Sequence, residues 1–490
     1  MLDWLAHRAQ VSPHKIALIF GDQRWTYGEL NGVVAQLCGQ LTAVGVQAGQ
    51  QVAVLMPNRP EYVYLTHALA RLGATLAPLN IRLTSEELRW QVEQADCRWV
   101  ICTDETEALA AALNVPMLNV QTFKRSNVQT LWPSRPLDLA AVQGLIYTSG
   151  TTGRPKGAML TYNNHLWSAI ASAFRLGTDP ADRWLTCLPL YHVGGLSIIF
   201  RCCLYGTAVV LQQGFDPAAV SRALETQDIS LVSLVPTMLH RLLESHPSSL
   251  ANSRLRCLLI GGAALSPALL ERCRALELPL ALTYGLTEAA SQVATASSTE
   301  VYRKPGSVGR PLMFSAVRIV DPHGQELPPG GIGEIVVCGP TVMRGYYRRP
   351  EATRQTLRSG ELYTGDLGYL DDEGDLWVIQ RRADLIISGG ENVYPAEVEQ
   401  ALREHPAVGD ACVVGLNDAE WGQRVAAVVV RRSQAQVSEA ELIAFCRTRL
   451  AGYKQPRLIR FIDALPQTTS GKVRRDMVRQ QLELDLKSAG

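Results

Sequence analysis

The residues between 147 and 157 combine hydroxyl, glycine and cationic side chains in a way that suits an anion-binding loop. The segment reads Y-T-S-G-T-T-G-R-P-K-G and follows an apolar run, 145–147, that indicates a buried strand. Glycines let a backbone approach a ligand closely, and successive N–H groups with nearby hydroxyls bind anions. Lys156 adds a mobile positive charge. No G-x-x-x-x-G-K-S/T pattern fits here, so we expect a phosphate-binding loop other than a Walker A loop.

Two carboxylates lie in motifs that suit nucleotide chemistry. Glu288 ends the segment Tyr284–Glu288, and a carboxylate beside Thr287 suits a Mg²⁺ ion that is shared with phosphate oxygens. The same two residues would serve equally well as a helix N-cap, so both interpretations stay open. Asp366 follows Tyr363, Thr364 and Gly365, which predicts a carboxylate after a tight turn. That carboxylate could hold ribose hydroxyls or form an Asx turn.

Other candidate residues are less specific on their own. Gly261, Gly262 and Ala263 leave room for a flat base, although a plain strand-to-helix turn is favoured for them alone. His192, between aromatic residues and glycines, is either a pocket residue or a structural histidine. Lys472 lies on a glycine-containing loop and could neutralise charge on phosphorus, and Lys454 could act similarly. A solvated basic tail is the alternative for Lys472.

The elements that must position these residues alternate between helix and strand as far as about residue 290. A capping box at Thr26–Glu29 opens a helix that ends near Gly45, a strand follows at 51–56, and a second helix runs from Pro60 to Gly73. This alternation predicts a parallel α/β fold. From 306 to 380, short strands between turn signals indicate an antiparallel or barrel-like part. The remaining residues predict a small α+β domain.

Composition places the chain among ordinary globular proteins. Of its 490 residues, 47% are hydrophobic and 19% charged, and the net charge of +1 gives no reason to expect a nucleic acid partner. The 11 cysteines form no C-x-x-C pair, which argues against a disulfide framework and a zinc site. Free thiols of this kind suit a reducing cytoplasm, where we expect the protein, and neither a signal peptide nor a membrane span is evident.

Taken in order, these motifs resemble the adenylate-forming superfamily of acyl-CoA synthetases, adenylation domains and luciferases. The resemblance covers nearly the whole chain, and it rests on the following segments: 147–157, 188–195, 284–288, 363–366, 380–399 and 466–472. It implies a large N-terminal domain, 1–380, that binds ATP and an acyl substrate and consists of two α/β subdomains and a β-barrel-like subdomain. It also implies a small mobile C-terminal lid domain, 381–490, and leaves homo-oligomers open.

The resemblance also implies a role for individual residues. The ATP phosphates would meet Thr148, Ser149, Gly150, Thr151, Thr152, Gly153 and Lys156. The remaining ATP-site residues would be Gly261, Gly262 and Ala263 along adenine, Tyr284 stacked on it, Gly285 and Thr287 nearby, and Asp366 and Arg381 at the ribose. Glu288 would hold Mg²⁺, and Lys472 would be the adenylation lysine. Glu288, Lys156 and Lys472 are therefore the expected catalytic residues, with ATP, Mg²⁺ and coenzyme A as cofactor and co-substrates.

Within the superfamily, segments 188–197, 284–292 and 386–399 are most similar to the o-succinylbenzoate–CoA ligases of menaquinone or phylloquinone biosynthesis. That similarity implies an acyl pocket at His192, Gly194, Ser197, Thr283, Ser291 and Gln292, with Arg201 as a weaker candidate, and a thiol tunnel at Ser388, Gly389, Gly390 and Glu391. Gln380 and Ala383 depart from the usual hinge residues. A ligase for another aromatic or fatty acid, a carrier-loading adenylation module and a nucleotide-binding regulator are the alternatives.

Overall fold

The computed structural model describes residues 3–122, 136–148, 155–251, 254–380, 385–432, 435–466 and 473–488. Contacts divide the chain into two compact units. The larger unit holds residues 1–81, 92–147 and 157–380, and the smaller unit holds 82–91, 148–156 and 381–490. The predicted α/β class, with a large N-terminal part and a small C-terminal one, is confirmed.

Two sheets of mainly parallel strands form the centre of the larger unit. Buried strands such as Ala208–Leu211 and Cys257–Ile260 are apolar throughout, as is typical of parallel strands covered on both faces. The nine-stranded sheet has the order Arg310–Pro311, Ser291–Ala296, Leu280–Leu286, Cys257–Ile260, Leu231–Leu234, Arg183–Thr186, Ala208–Leu211, Ile16–Phe20 and Gln23–Thr26. The six-stranded sheet has the order Met117–Asn119, Cys97–Cys102, Gln51–Leu55, Thr75–Pro78, Val142–Thr148 and Lys156–Thr161.

Two helices of the larger unit begin where the sequence predicts them. Thr26 forms the expected capping box with Glu29, and Pro60 opens a helix that Gly73 ends in a left-handed conformation. The helices are Trp4–Val11, Tyr27–Ala43, Pro60–Leu72, Ser85–Gln94, Glu107–Ala111, Tyr162–Leu176, Val193–Tyr205, Pro217–Thr226, Pro236–Ser245, Pro247–Ala251, Pro267–Ala275, Ser298–Arg303 and Pro350–Thr356, of which Ser85–Gln94 extends from the smaller unit. In the described residues, no helix is long and apolar enough to cross a membrane.

An antiparallel sheet occupies residues 316–380, as the turn signals predict. Its strands are Ala316–Val320, Gly333–Cys338, Leu357–Arg358, Glu361–Leu370 and Leu376–Gln380. The prediction that Asp366 follows a tight turn is wrong, because Asp366 lies inside the strand Glu361–Leu370. Tyr363 pairs with Val336 and Leu367 with Glu334, so the strand bulges at residues 364–366. The bulge, rather than a turn, sets the direction of the Asp366 carboxylate.

The smaller unit contains a second α+β arrangement. Its sheet has the order Glu391–Val393, Ile386–Ser388, Gly422–Arg431 and Val408–Asp418, and Leu458–Phe461 pairs in parallel with Gly422–Arg431. The helices are Pro395–Arg403, Glu439–Arg447 and Arg475–Ser488. Ser438 and Glu441 form a capping box at the start of the helix Glu439–Arg447. An apolar cluster that includes Val414, Val428 and Leu482 forms the core between the sheet and the last helix.

Candidate active site

The two ends of the proposed phosphate loop lie close together. The loop begins at the end of the strand Val142–Thr148 and ends where the strand Lys156–Thr161 begins. The Thr148 hydroxyl donates to the backbone oxygen of Lys156 at 3.4 Å, and the Lys156 side chain is buried. The intervening candidates, Ser149, Gly150, Thr151, Thr152 and Gly153, lie outside the described residues. A strand on each side therefore anchors the loop ends.

Tyr284 and Asp366, candidates for adenine and ribose, meet in the interior of the larger unit. Tyr284 is 2% exposed, and its hydroxyl donates to Oδ2 of Asp366 at 2.6 Å. A Cβ atom added at Gly261 would lie 2.8 Å from Cγ2 of Thr283, so the glycine segment packs directly against the strand that carries Tyr284. Gly285 belongs to the same strand. Arg381, the second ribose candidate, lies outside the described residues.

Glu288 has the environment of an oriented carboxylate ligand. It lies in the short 3₁₀ helix Thr287–Ala289 and is only 4% exposed. Its Oε1 atom accepts a 2.7 Å hydrogen bond from the hydroxyl of Tyr346, and its backbone oxygen accepts from the Met343 N–H. Mg²⁺ takes hard oxygen ligands, commonly one or two carboxylates. Glu288 therefore fits the metal that the sequence resemblance implies.

The acyl-pocket candidates lie on a helix and two strands of the nine-stranded sheet. His192 directly precedes the helix Val193–Tyr205, and a Cβ at Gly195 would lie 2.5 Å from the backbone oxygen of Pro189, so only glycine fits there. Ser197 turns its hydroxyl back toward the oxygen of Gly194, at 3.3 Å. That helix therefore presents its first turn closely packed against residues 188–190.

Hydroxyl and amide groups join the candidates on the two strands. The hydroxyl oxygens of Thr283 and Thr295 lie 2.9 Å apart, and Gln292 Nε2 donates to Thr295 Oγ1 at 3.1 Å. Within the described chain, the buried Oε1 atom of Gln292 has no hydrogen-bond partner. Ser291, the remaining candidate, begins the strand Ser291–Ala296 and has a φ of 99°. Thr283 and Gln292 thus belong to one network.

Arg201, which the sequence offered only weakly, is a fully buried cation. It is 2% exposed, its guanidinium donates to Ser168 Oγ at 3.2 Å, and it lies 5.7 Å from the centre of the Trp184 ring. Among the described residues no carboxylate pairs with it, and its Nε has no hydrogen-bond partner. Burial lowers the pKa of the guanidinium. Since isolated buried charges are costly, this position calls for an anion.

The candidates for the thiol tunnel form a tight hairpin in the smaller unit. Gly389 and Gly390, with φ values of 60° and 82°, connect the strands Ile386–Ser388 and Glu391–Val393. Positive φ at both central residues is what a type I′ hairpin turn requires. Ser388 and Glu391 pair across the turn, and Glu391 also binds Arg82 at 3.2 Å.

Of Lys472 and Lys454, the two lysines offered as cations for the phosphates, the structure describes only Lys454. Lys472 lies outside the described residues. Lys454 is not a mobile cation, because it is buried, with its ammonium 2.6 Å from Glu87 Oε1 and 2.8 Å from Glu397 Oε1. Burial lowers the pKa of Lys454, but the two carboxylates outweigh that effect and raise it above its ordinary value. A lysine held between two carboxylates is a structural ion pair.

Asn58 is a residue that the sequence analysis missed. Its buried amide donates to the backbone oxygens of Leu188, at 2.9 Å, and Gln212, at 3.1 Å. Its oxygen accepts from the Leu190 N–H at 2.9 Å. Asn58 follows a strand of the six-stranded sheet, whereas its partners follow the strands Arg183–Thr186 and Ala208–Leu211 of the nine-stranded sheet. Because all three partners are backbone groups, no side-chain pattern in the sequence could reveal this role.

Comparisons with known proteins show which family the chain belongs to. The family description "AMP-binding enzyme" matches residues 5–347, and "AMP-binding enzyme C-terminal domain" matches residues 397–472. A 2-succinylbenzoate–CoA ligase of Bacillus cereus (strain Q1) is 42% identical over 483 residues, 99% of each chain. The corresponding ligase of Bacillus cytotoxicus is 43% identical over the same shares.

Solved structures of similar sequence share this fold over nearly the whole chain. The o-succinylbenzoate CoA synthetase of Bacillus subtilis, a double mutant bound to a product analogue, superposes with a TM-score of 0.93 at 40% identity over 98% of each chain. The same enzyme with ATP and magnesium gives 0.74 at 39% identity over 99% of each chain. An amide bond synthetase from Marinactinospora thermotolerans gives 0.89 at 31% identity, with 97% of this chain and 99% of the other covered. The chain belongs to the AMP-binding enzyme family.

Proposed function

We propose that this protein is an AMP-forming ligase that joins o-succinylbenzoate to coenzyme A. In the first half-reaction a carboxylate oxygen of the acid attacks the α-phosphorus of ATP, and pyrophosphate leaves. In the second, the coenzyme A thiol attacks the acyl carbonyl, the bond to AMP breaks, and the thiol proton passes to solvent. No protein nucleophile takes part, which agrees with the ten buried cysteines and one half-buried cysteine.

The first half-reaction brings two anions together, so the site must supply positive charge. Lys156 is at the end of the phosphate loop, and Lys472 would bring a second ammonium to the α-phosphate. Glu288 would hold Mg²⁺, which neutralises phosphate charge when bound. Tyr284 and Asp366 would bind adenosine. Preorganised charge of this kind is usually the largest catalytic contribution.

The buried guanidinium of Arg201 is the observation that supports o-succinylbenzoate as the substrate. o-Succinylbenzoate has two carboxylates, only one of which can be activated in a turnover. The other would enter a largely apolar pocket as an anion, which is favourable only beside a cation or several donors. Arg201, with a donor atom that has no partner in the described chain, supplies that cation. Gln292 and Thr283 would add polar contacts.

The division of labour between the domains follows the family. The large domain, 1–380, would carry out adenylation with Lys472 contributed by the lid domain, 381–490. After pyrophosphate leaves, rotation of the lid would replace Lys472 with the loop Ser388–Glu391, beside which the pantetheine arm would enter. Such motions take μs–ms and can limit turnover. A reducing, cytoplasmic setting suits the free thiols.

Two other functions lead to different products. A ligase for another aromatic or fatty acid would leave Arg201 buried without an anion, which is why we place it second. A nucleotide-binding regulator would bind ATP and release neither AMP nor pyrophosphate. A carrier-loading module would transfer the acyl group to a protein thiol in place of coenzyme A.

One assay separates these possibilities. The purified protein is given ATP, Mg²⁺ and coenzyme A with o-succinylbenzoate, a medium-chain fatty acid or a cinnamate, and AMP and thioester are quantified. We expect both products with o-succinylbenzoate and little of either with the other acids. Preference for a fatty acid would reject the substrate, and the absence of AMP with every acid would reject the reaction.

A further inference from the structure

The hydroxyl of Tyr346 donates a hydrogen bond to the carboxylate of Glu288. The O–H···O distance to Oε1 is 2.7 Å, and the two residues are 3% and 4% exposed. A hydrogen bond to a carboxylate in a buried setting is stronger than one between neutral groups. It also fixes the plane of the carboxylate, and therefore the directions from which its oxygens can meet a cation.

The segment that carries Tyr346 is held in place at several backbone positions. The Met159 N–H donates to the Gly345 oxygen at 2.9 Å, and the Arg344 N–H donates to the Met159 oxygen at 3.0 Å. The Tyr347 N–H donates to the oxygen of Gly157 at 2.8 Å. These partners belong to the strand that directly follows the phosphate loop.

The same segment also binds the backbone of Glu288, the candidate metal ligand. The Met343 N–H donates to the oxygen of Glu288 at 2.8 Å, so residues 343–347 hold Glu288 by its backbone and by its side chain. One short segment thus connects the strand after the phosphate loop with the carboxylate expected at the metal. The position of residues 343–347 therefore sets the distance between that strand and the Glu288 carboxylate.

We propose that Tyr346 is a positioning residue that orients Glu288 toward the metal of MgATP. This inference rests on the proposed metal role of Glu288. Tyr346 itself touches neither the nucleotide nor the metal in this account. Its contribution is the orientation of the carboxylate, so its loss should weaken binding of MgATP and leave binding of metal-free ATP unchanged.

Calorimetric titration of the full chain tests this proposal. ATP is titrated with Mg²⁺ present and again with EDTA, in the absence of any acid, for the unchanged protein and for Tyr346→Phe. We expect the variant to lose about tenfold in affinity for MgATP, as partners of metal ligands commonly contribute 10–100-fold. Its affinity for ATP in EDTA should be the same as that of the unchanged protein.

Tyr62→Phe is the matched control. Tyr62 is also buried, and its hydroxyl has no partner in the described part of the chain, so the control removes a buried hydroxyl that orients nothing. Equal MgATP affinity in Tyr346→Phe and Tyr62→Phe would overturn the proposal. An equal loss with and without metal would also overturn it, because it would indicate damage to the nucleotide site as a whole.

A double substitution guards against a folding defect. In a Glu288→Gln background, Tyr346→Phe should cause no further loss of MgATP affinity, whereas an unfolded fraction would reduce binding again and contradict the proposal. The titrations of the unchanged protein test the metal role of Glu288 separately from the role of Tyr346. If Mg²⁺ does not strengthen ATP binding to the unchanged protein, the metal role of Glu288 is wrong, and the inference about Tyr346 falls with it.

Discussion

The hydroxyl of Tyr284 donates a 2.6 Å hydrogen bond to Oδ2 of Asp366, and both side chains are buried. Tyr284 lies near the end of a strand of the nine-stranded sheet, and Asp366 lies at the bulge of the antiparallel sheet. The two residues expected at adenine and ribose are therefore coupled across two sheets. We therefore expect a displacement of Tyr284 to displace Asp366, and the reverse.

Tyr284→Phe tests this coupling. The ring remains, but the Asp366 carboxylate loses a donor in a buried position, which costs roughly 1.5–3 kcal/mol for a hydrogen bond to a charged group. We expect the KM for ATP to rise by about tenfold or more while the KM for the acid stays the same. An unchanged KM for ATP in steady-state assays would show that the hydrogen bond does not order the nucleotide site.

The sequence predicts local structure here because the signals are local. Thr26 with Glu29 acts within one helical turn, as does Gly73, and the structure places each as expected. The alternation of helices and strands is also visible in neighbouring segments, and it predicts parallel sheets. These features need no knowledge of distant parts of the chain.

The missed features depend on residues far apart in the sequence. Tyr346 meets Glu288 across 58 positions, and Asn58 meets Leu188 across 130. The Asp366 bulge depends on the partner strand, since three residues lie opposite Ile335. The sequence offers Lys454 as a cation for the phosphates, and only the fold brings Glu87 and Glu397 to it.

Asn58→Ala should loosen the turn that precedes His192. It leaves the Leu190 N–H and two carbonyl oxygens without the partners they have now, and each buried loss costs about 1–3 kcal/mol. We expect the KM for the acid to rise about tenfold with little change in the KM for ATP.

Asn119→Ala provides the comparison for that variant. Asn119 is another buried amide in a hydrogen-bonded network, but it lies at the edge strand of the six-stranded sheet. The Asn119→Ala variant should have a lower melting temperature, with the KM for ATP and the KM for the acid both unchanged. If both variants raise the KM for the acid equally, Asn58 has no specific part in placing the pocket.

Lys472→Ala should separate the two half-reactions. Removing a preorganised cation from the α-phosphate commonly costs ~10²–10³ in rate. Pyrophosphate release from ATP and acid should fall by about that factor, whereas thioester formation from supplied acyl-adenylate and coenzyme A should persist. Equal loss in both assays would contradict the proposed exchange of Lys472 for the thiol loop.

His165 predicts a pH dependence of stability. Burial and, next, the nearby Arg201 lower the pKa of His165 from 6.5 to about 3. The unfolded chain therefore binds a proton that the folded chain does not between these values, so stability is lost as the pH falls from 6.5 toward 3. Denaturant midpoints across this range measure that loss.

His165→Leu should make the acid-side loss shallower. The difference in unfolding free energy between the variant and the unchanged protein should shift by up to about 1.4 kcal/mol per pH unit below 6.5. Above pH 7 the difference should be constant. Parallel curves across the whole range would mean that His165 is not kept neutral by its surroundings.

The most direct test of the whole account compares two acids in two proteins. The acids are o-succinylbenzoate and benzoylpropionate, which lacks the ring carboxylate, and the proteins are the unchanged chain and Arg201→Met. We predict that the unchanged protein prefers o-succinylbenzoate in kcat/KM for thioester formation, and that Arg201→Met loses most of this preference while it still converts benzoylpropionate. The same preference in both proteins, or no thioester from either acid, would contradict the account.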